Sequence, residues 1–552
     1  MALEPLVSLW QVSPHPLKPM ASMIKQPCDE AAIRSATAVA PCTKSAEPWI
    51  LAATIVGSSL AFIDGTVVNV ALPALQADLN ATVVDAQWVV ESYALFLAAL
   101  VLVGGSLGDR FGRRRVYAIG VGLFAAASAW CGIAPGVGQL IVARAVQGIG
   151  AALLVPGSLA IIGASFSEST RGRAIGTWSG FTSITAAVGP IIGGWLIERA
   201  SWRAAFFINL PLAAIVLALV FWRVPESRDN RHQGVDWRGA VLATSGLGTL
   251  VFGLIESSSL GFTHRAVIGS IAGGILLLAA FLIVEARIAD PMLPVSLFRS
   301  RNFSGANLLT LLLYAALGGS LFFVPLNLIQ VQRYSATAAG AALLPFILTI
   351  FVLSRWSGGL VDRYGAKLPL TIGPVIAAAG FALFTVPRVS HNYWTSFFPA
   401  VVVLGVGMAI SVAPLTTTVM NSVKSSQAGV ASGISNAVSR TAGLLAVAMF
   451  GIVMLHSFNQ NLDQRLAAID LSPETRLSID QQRVRLAGIE PPATLTGETR
   501  ISVDHAIGDS FVSAFRVVMW VSAGLGLLSG LSAWLLIEGK AIPAKAKSDN
   551  RN

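Results

Sequence analysis

Residues 104–115 read GGSLGDRFGRRR, a polar break between two long apolar runs, and a close echo, GGLVDRYG, returns at 358–365. The shared parts are a glycine (Gly105, Gly358), a leucine (Leu107, Leu360), an Asp-Arg pair (Asp109 and Arg110, Asp362 and Arg363) and a closing glycine (Gly112, Gly365). Basic residues follow both copies: Arg113, Arg114 and Arg115 after the first, Lys367 after the second. Glycine permits a sharp turn and a close approach of helix backbones, and an acid near the start of the next helix suits its positive end. Arginines hold such a loop on the cytoplasmic side of a membrane. Two copies of one turn imply two copies of one helical bundle.

The composition fits a membrane chain. Of 552 residues 54% are hydrophobic and 12% charged, and the mean hydropathy is +0.69, too apolar for a soluble domain of this length. The formal charge of +10 does not point to nucleic acid, because the basic residues sit in short loops between apolar runs and form no continuous face. Cys28, Cys42 and Cys131 have no metal spacing, and Cys131 lies inside an apolar run as a small hydrophobe. No metal, cofactor or disulfide framework is expected. Residues 1–47 lack the compact apolar stretch and cleavage site of a signal peptide and read as a disordered cytoplasmic tail, with a second short tail over 541–552.

Apolar runs of about 20 residues predict 14 membrane helices, over 49–72, 86–108, 116–135, 139–163, 171–197, 203–223, 238–257, 266–287, 304–329, 337–361, 368–387, 394–420, 428–456 and 512–537. Arginines and lysines concentrate in alternate loops, including 110–115, 171–173, 223–238, 299–301 and 363–367, which places both termini in the cytoplasm. The first copy of the motif follows the second helix and the other follows the tenth, so an even number of helices separates them and the repeats are parallel. The expected architecture is an all-α membrane fold: a six-helix bundle over 48–225, an inserted hairpin over 226–290 and a second six-helix bundle over 291–540. The connection at 457–511 is far longer than the others. Its Ser472-Pro473-Glu474 resembles a helix cap with proline in the first turn, so it reads as surface helices outside the membrane.

Ionisable residues inside apolar helices are costly and mark function. Asp64 interrupts the first predicted helix, Glu91 the second and Arg144 the fourth. Arg144, Gln147, Gly148 and Ala151 recur at i, i+3, i+4 and i+7, a polar and small stripe that should face other helices. Two readings stay open: a proton-carrying site, or a static Arg–carboxylate pair that holds helices together. Gly189, Pro190, Gly193 and Gly194 should bend the fifth helix and pack it closely on a neighbour. Asn436 and Arg440 form a polar patch on the thirteenth helix, and Asn69 joins Asp64, Gln147 and that patch as candidates to line a substrate cavity. Glu256 and Glu285, near the ends of the inserted pair, reach the membrane interface on this reading. The G-x-S-x-G pattern at 104–108 lacks the strand-turn-helix context of a hydrolase, and no P-loop or zinc spacing is present, so an enzyme is not expected.

Four of these stretches together resemble the major facilitator superfamily, in particular its 14-helix drug:proton antiporter branch of multidrug exporters. The resemblance rests on 105–114, on DGTVVNVALP at 64–73, on 144–150 and on Gly189-Pro190 with Gly193-Gly194, supported by Trp202-Arg203 and FFINLP at 206–211. It implies efflux of drugs or toxic compounds in exchange for protons by alternating access, across the inner membrane of a bacterium. The same resemblance implicates the helix 4 arginine in proton coupling and the helix 5 motif in tight packing against leak. Asp64, Glu91 and Arg144, ionisable residues inside the apolar helices, are the candidates for coupling, and Gly105, Asp109, Arg110, Gly112, Arg113, Asp362 and Arg363 for a conformational latch. Two acids favour hydrophobic cationic substrates, while Arg144 and Arg440 leave room for an anion. Partners are then the substrate, protons and the lipid bilayer, with a periplasmic adaptor protein if the cell has two membranes. Export of an endogenous metabolite or lipid, and a sensor that no longer transports, are the competing readings, since fold alone does not decide function. Glu91, the 457–511 connection and the N-terminal tail fall outside the family pattern.

Overall fold

The computed structural model describes residues 46–228, 236–288, 291–357, 359–389, 392–423, 428–492 and 494–539, without some side chains in 168–187, 354–355, 362 and 428–429. The tail expected over 1–47, apart from its last two residues, the tail over 541–552, Gly358 and the side chain of Asp362 lie outside them. The helices are α1 (Glu47–Leu79), α2 (Val83–Phe111), α3 (Arg113–Ile133), α4 (Val137–Ser165), α5 (Glu168–Arg199), α6 (Ala204–Arg223), α7 (Trp237–Leu260) and α8 (Arg265–Glu285). They continue as α9 (Arg301–Leu326), α10 (Ala336–Ala342 resumed by Leu344–Ser357), α11 (Lys367–Leu383), α12 (Tyr393–Asn421), α13 (Ala428–Leu466) and α14 (Gly497–Leu536). Among the described residues thirteen spans are long and apolar enough to cross a membrane. The fourteenth, α11, has 17 residues, about 26 Å at ~1.5 Å per residue, close to the minimum for a bilayer. Two parallel six-helix bundles, α1–α6 and α9–α14, enclose the centre, with α7 and α8 inserted between them in sequence.

Local chemistry sets the helix ends. Thr82 and Asp85 form a capping box at the start of α2, and Asp236, Ser300 and Asn392 accept backbone N–H groups at the starts of α7, α9 and α12. Asn80, at a left-handed φ of 51°, ends α1 by donating its backbone N–H to Gln76 O.

The repeated motif is tighter than its sequence suggests. Helix α2 runs to Phe111 and α3 starts at Arg113, so the break is Gly112 alone, at φ 110°, and its counterpart Gly365 has φ 76°. Side chains avoid such φ values, which explains the closing glycine. Asp109 lies in the last turn of α2, not in a loop, and accepts a 2.8 Å hydrogen bond from Arg113 Nε. The acid at the positive end of α3 is instead Glu226, which follows α6: its Oε1 accepts the Arg114 backbone N–H at 3.1 Å, with Arg114 and Arg115 at 3.9 and 3.7 Å.

Other boundaries move. Helix α1 extends past Pro73 to Leu79, which puts Asp64 near its middle. Helix α13 has 39 residues and α14 has 40, well beyond the ~20 that cross a bilayer, so much of the expected extramembrane stretch over 457–511 is their continuation. The remaining connector, 467–496, contains the helix Pro473–Gln481, capped by Ser472 as expected. It lies across the ends of both bundles, with Leu486 buried in the main core and Arg485 Nη2 3.4 Å from Asn80 Oδ1. Helix α10 is interrupted at Leu343 and ends at Ser357, before a short helix Leu360–Tyr364. Glu285 does not reach outward: it is buried at the base of the hairpin, where Oε2 accepts the Leu293 N–H at 2.9 Å.

The bundles meet along two seams. In one, α5 presses on α10: a Cβ on Gly194 would lie 2.5 Å from the Ala336 backbone, and one on Gly340 2.3 Å from Pro190 O. In the other, α2 packs on α13, where Gln87 Nε2 donates to Val447 O at 2.8 Å. Helix α7 covers this second seam, with Leu247, Val251 and Ile255 against Val84, Leu95, Ala99, Leu444 and Ala448.

Candidate functional site

The first bundle is organised around a closed polar network. Asp64 on α1 and Arg144 on α4 are 0% and 1% exposed. Arg144 Nη1 donates to Asp64 Oδ2 at 2.5 Å and to Gln147 Oε1 at 2.6 Å, and Arg144 Nε donates to Val89 O of α2 at 3.0 Å. Gln147 Nε2 donates to Asp64 Oδ1 and to Ser128 Oγ, both at 2.8 Å. Asn209 of α6 adds longer contacts of 3.3 Å to the same two oxygens. The guanidinium lies over the Tyr93 ring, 4.3 Å from its centroid. Five helices therefore converge on one buried ion pair whose lone pairs and protons are largely used, the condition under which such a pair is tolerated.

Glu91 is equally buried, at 0% exposed, but neither carboxylate oxygen has a hydrogen-bond partner among the described residues. At about 100° per residue, Val84, Trp88, Glu91, Leu95 and Ala99 share one face of α2. That face packs on α7 and α13, and one turn from Glu91 the Trp88 indole N–H donates to Glu256 Oε1 of α7 at 3.0 Å. Glu91 thus sits where the first bundle, the second bundle and the inserted hairpin meet.

A cavity of about 270 Å³ lies between the bundles, lined from α1, α5, α9 and α10. Phe62, Thr66, Asn69 and Val70 line it from α1, and helical periodicity places Asp64 on the opposite side of that helix. Asn69 is the one expected cavity residue among its walls; Asp64 and Gln147 belong to the closed network, and Asn436 and Arg440 lie half-buried on α13. Pro190 lines the cavity, while Gly189 and Gly193 face Thr66 and Val67 of α1. Of the expected latch, Gly105 stays helical within α2, Arg110 stacks on Phe111 at 5.3 Å, Arg113 is buried beside Asp109, and Arg363 lies over the Tyr364 ring at 5.3 Å. Among the described residues no cluster of three or more His, Cys, Asp or Glu side chains could hold a metal.

Sequence reasoning missed Ser128, Asn209, Trp178 and Glu226. Asn209 had a signal, an amide inside the apolar run 206–211. Ser128 had none, since a serine in a membrane helix normally bonds to its own backbone.

Residues 54–447 match the family model described as Major Facilitator Superfamily. A tetracenomycin C resistance and export protein of Streptomyces glaucescens is 32% identical, over 90% of this chain and 92% of that protein. A multidrug resistance protein, Stp, of Mycobacterium tuberculosis is 31% identical, over 88% and 91%. Among solved structures, a bacterial homolog of the human lysosomal transporter Spinster, inward-facing and unoccupied, aligns with TM-score 0.63 at 16% identity, covering 89% of this chain and 98% of that one. This last likeness concerns the fold.

Proposed function

The chain belongs to the major facilitator superfamily of membrane transporters, and on that premise we propose that it exports hydrophobic drug-like compounds in exchange for protons. It is a multi-pass transporter rather than an enzyme. The export reading is supported by relatives named for resistance and export that match along nine-tenths of the chain. In this reading the Gly112 end faces the cytoplasm of a bacterium, because Arg113, Arg114 and Arg115 cluster there, and both termini are cytoplasmic.

The coupling reading is carried by one observation: Glu91 is buried at the junction of both bundles without a hydrogen-bond partner among the described residues, whereas Asp64 is surrounded by donors. A charged carboxylate held in an apolar seam without donors is costly, and the same group bearing a proton is not. Glu91 therefore takes its proton from the outside when the α2–α13 seam admits water and releases it to the cytoplasm in the opposite state. Asp64 and Arg144 hold the first bundle rigid so that it rocks as one body around the cavity. Opening toward the outside separates α5 from α10, which breaks the bond from the Thr337 backbone N–H to Glu198 Oε1, 2.7 Å in this structure. The motif around Gly112 acts as the latch at the cytoplasmic end, with Asp109 exchanging its Arg113 partner between states.

Efflux of a fluorescent compound panel from cells lacking other exporters, with and without an uncoupler, tests this reading. The expected result is uncoupler-sensitive extrusion of hydrophobic members. Extrusion unchanged by the uncoupler would remove the proton from the account, and no extrusion at all would remove export.

A further inference from the structure

We infer that the cavity between α1, α5, α9 and α10 takes uncharged aromatic compounds, held by ring contacts and one hydrogen bond to the Asn69 amide. The inference rests on the export reading and names its substrate class. None of the described lining residues carries a charge, and the walls are largely apolar. The two buried acids of the first bundle are directed elsewhere: Asp64 lies on the reverse side of α1 with its oxygens engaged, and Glu91 lies in the other seam. A charged ligand would lose its hydration and meet no opposite charge, which an apolar cavity does not repay. A neutral ring system loses little and gains burial.

The polar groups in the walls are mostly spent. Thr66 Oγ1 donates to Phe62 O and Ile63 O, both at 3.0 Å, and Thr182 Oγ1 donates to Trp178 O at 2.9 Å. The Trp178 indole N–H reaches Ser58 Oγ at 3.1 Å and Thr54 O at 3.3 Å. These contacts fix the Trp178 ring as a rigid wall of the cavity, which Phe62 and Phe346 also line. Asn69 differs: among the described residues Oδ1 is buried with no partner, and Nδ2 makes only a long 3.4 Å contact to Gly65 O. Among the described lining residues its amide is the group left to read a ligand N–H or hydroxyl. At about 270 Å³ the space is near the lower limit of small-molecule pockets, roughly 300 Å³, which suits two or three aromatic rings.

A matched set of probes tests this on the purified full chain: neutral phenylnaphthylamine, its trimethylammonium derivative and its sulfonate. Ligand-induced thermal stabilisation is measured over a concentration series, an equilibrium readout that needs no proton gradient. The neutral probe should act at a concentration at least about tenfold below either charged one, a difference of roughly 1.4 kcal/mol. Asn69→Ala should weaken the neutral probe several-fold, and Phe346→Asp should bring the cation level with it or ahead. Equal potency of a charged probe on the natural chain, or stabilisation by none of the three, would overturn the inference. A neutral probe that binds but is not extruded from cells would sustain the site and sink the export reading instead.

Discussion

Asp64 and Glu91 are both carboxylates buried in the first bundle, yet one receives hydrogen bonds from three side chains and the other from none among the described residues. They sit on helices that follow one another and differ in what the neighbouring helices bring. Around Asp64, α3, α4 and α6 supply Ser128, Arg144, Gln147 and Asn209; around Glu91, α7 and α13 supply leucine, valine, isoleucine and alanine. A saturated acid is a fixed part of the architecture. An unsaturated one at a seam has an energy that changes when the seam opens, which is what coupling requires.

Arg144→Leu leaves Asp64 buried with its strongest donor gone, and should lower stability by about 3–5 kcal/mol, seen as a fall in unfolding temperature and in membrane yield. The double variant Asp64→Asn with Arg144→Gln should recover part of that loss. If the single and double variants were equally stable, the pair would not be the structural unit described. Asn209→Ala removes a weaker donor to Asp64 and Ser128 and should cost about 1–3 kcal/mol, with uncoupler-sensitive export kept in whatever protein folds. Trp88→Phe, beside Glu91, loses the indole bond to Glu256 of α7 and keeps a ring against Phe252. Its expected cost is about 0.5–1.5 kcal/mol, read by faster hydrogen exchange in α7 than in α4.

Much of this contrast was legible in the sequence. Charged residues inside apolar runs picked out Asp64, Glu91 and Arg144, because a charge in a membrane helix needs a reason wherever it falls. The repeated glycine turn foretold two parallel bundles, and the surplus pair of apolar runs foretold α7 and α8. What the sequence could not separate was the two acids. Their difference lies in which helix faces each one, and that is set by packing between segments dozens of residues apart. The ends of α13 and α14 were missed for another reason: beyond the membrane their polar residues end the apolar pattern without ending the helix, so hydropathy stops where hydrogen bonding continues. Glu226 escaped notice because a carboxylate after a predicted helix looks like any loop acid until the chain folds it onto the start of α3.

Glu91→Gln should be the mildest change to the fold, within about 0.5 kcal/mol of the natural chain, since it removes no hydrogen bond, and the most informative for function. Reconstituted in proteoliposomes, the variant should still exchange labelled compound across the membrane when both sides hold it. It should lose at least about tenfold of the net transport driven by an imposed pH gradient, equivalent to roughly 1.4 kcal/mol in the coupled step. Full gradient-driven transport by Glu91→Gln would contradict the assignment of the proton to Glu91.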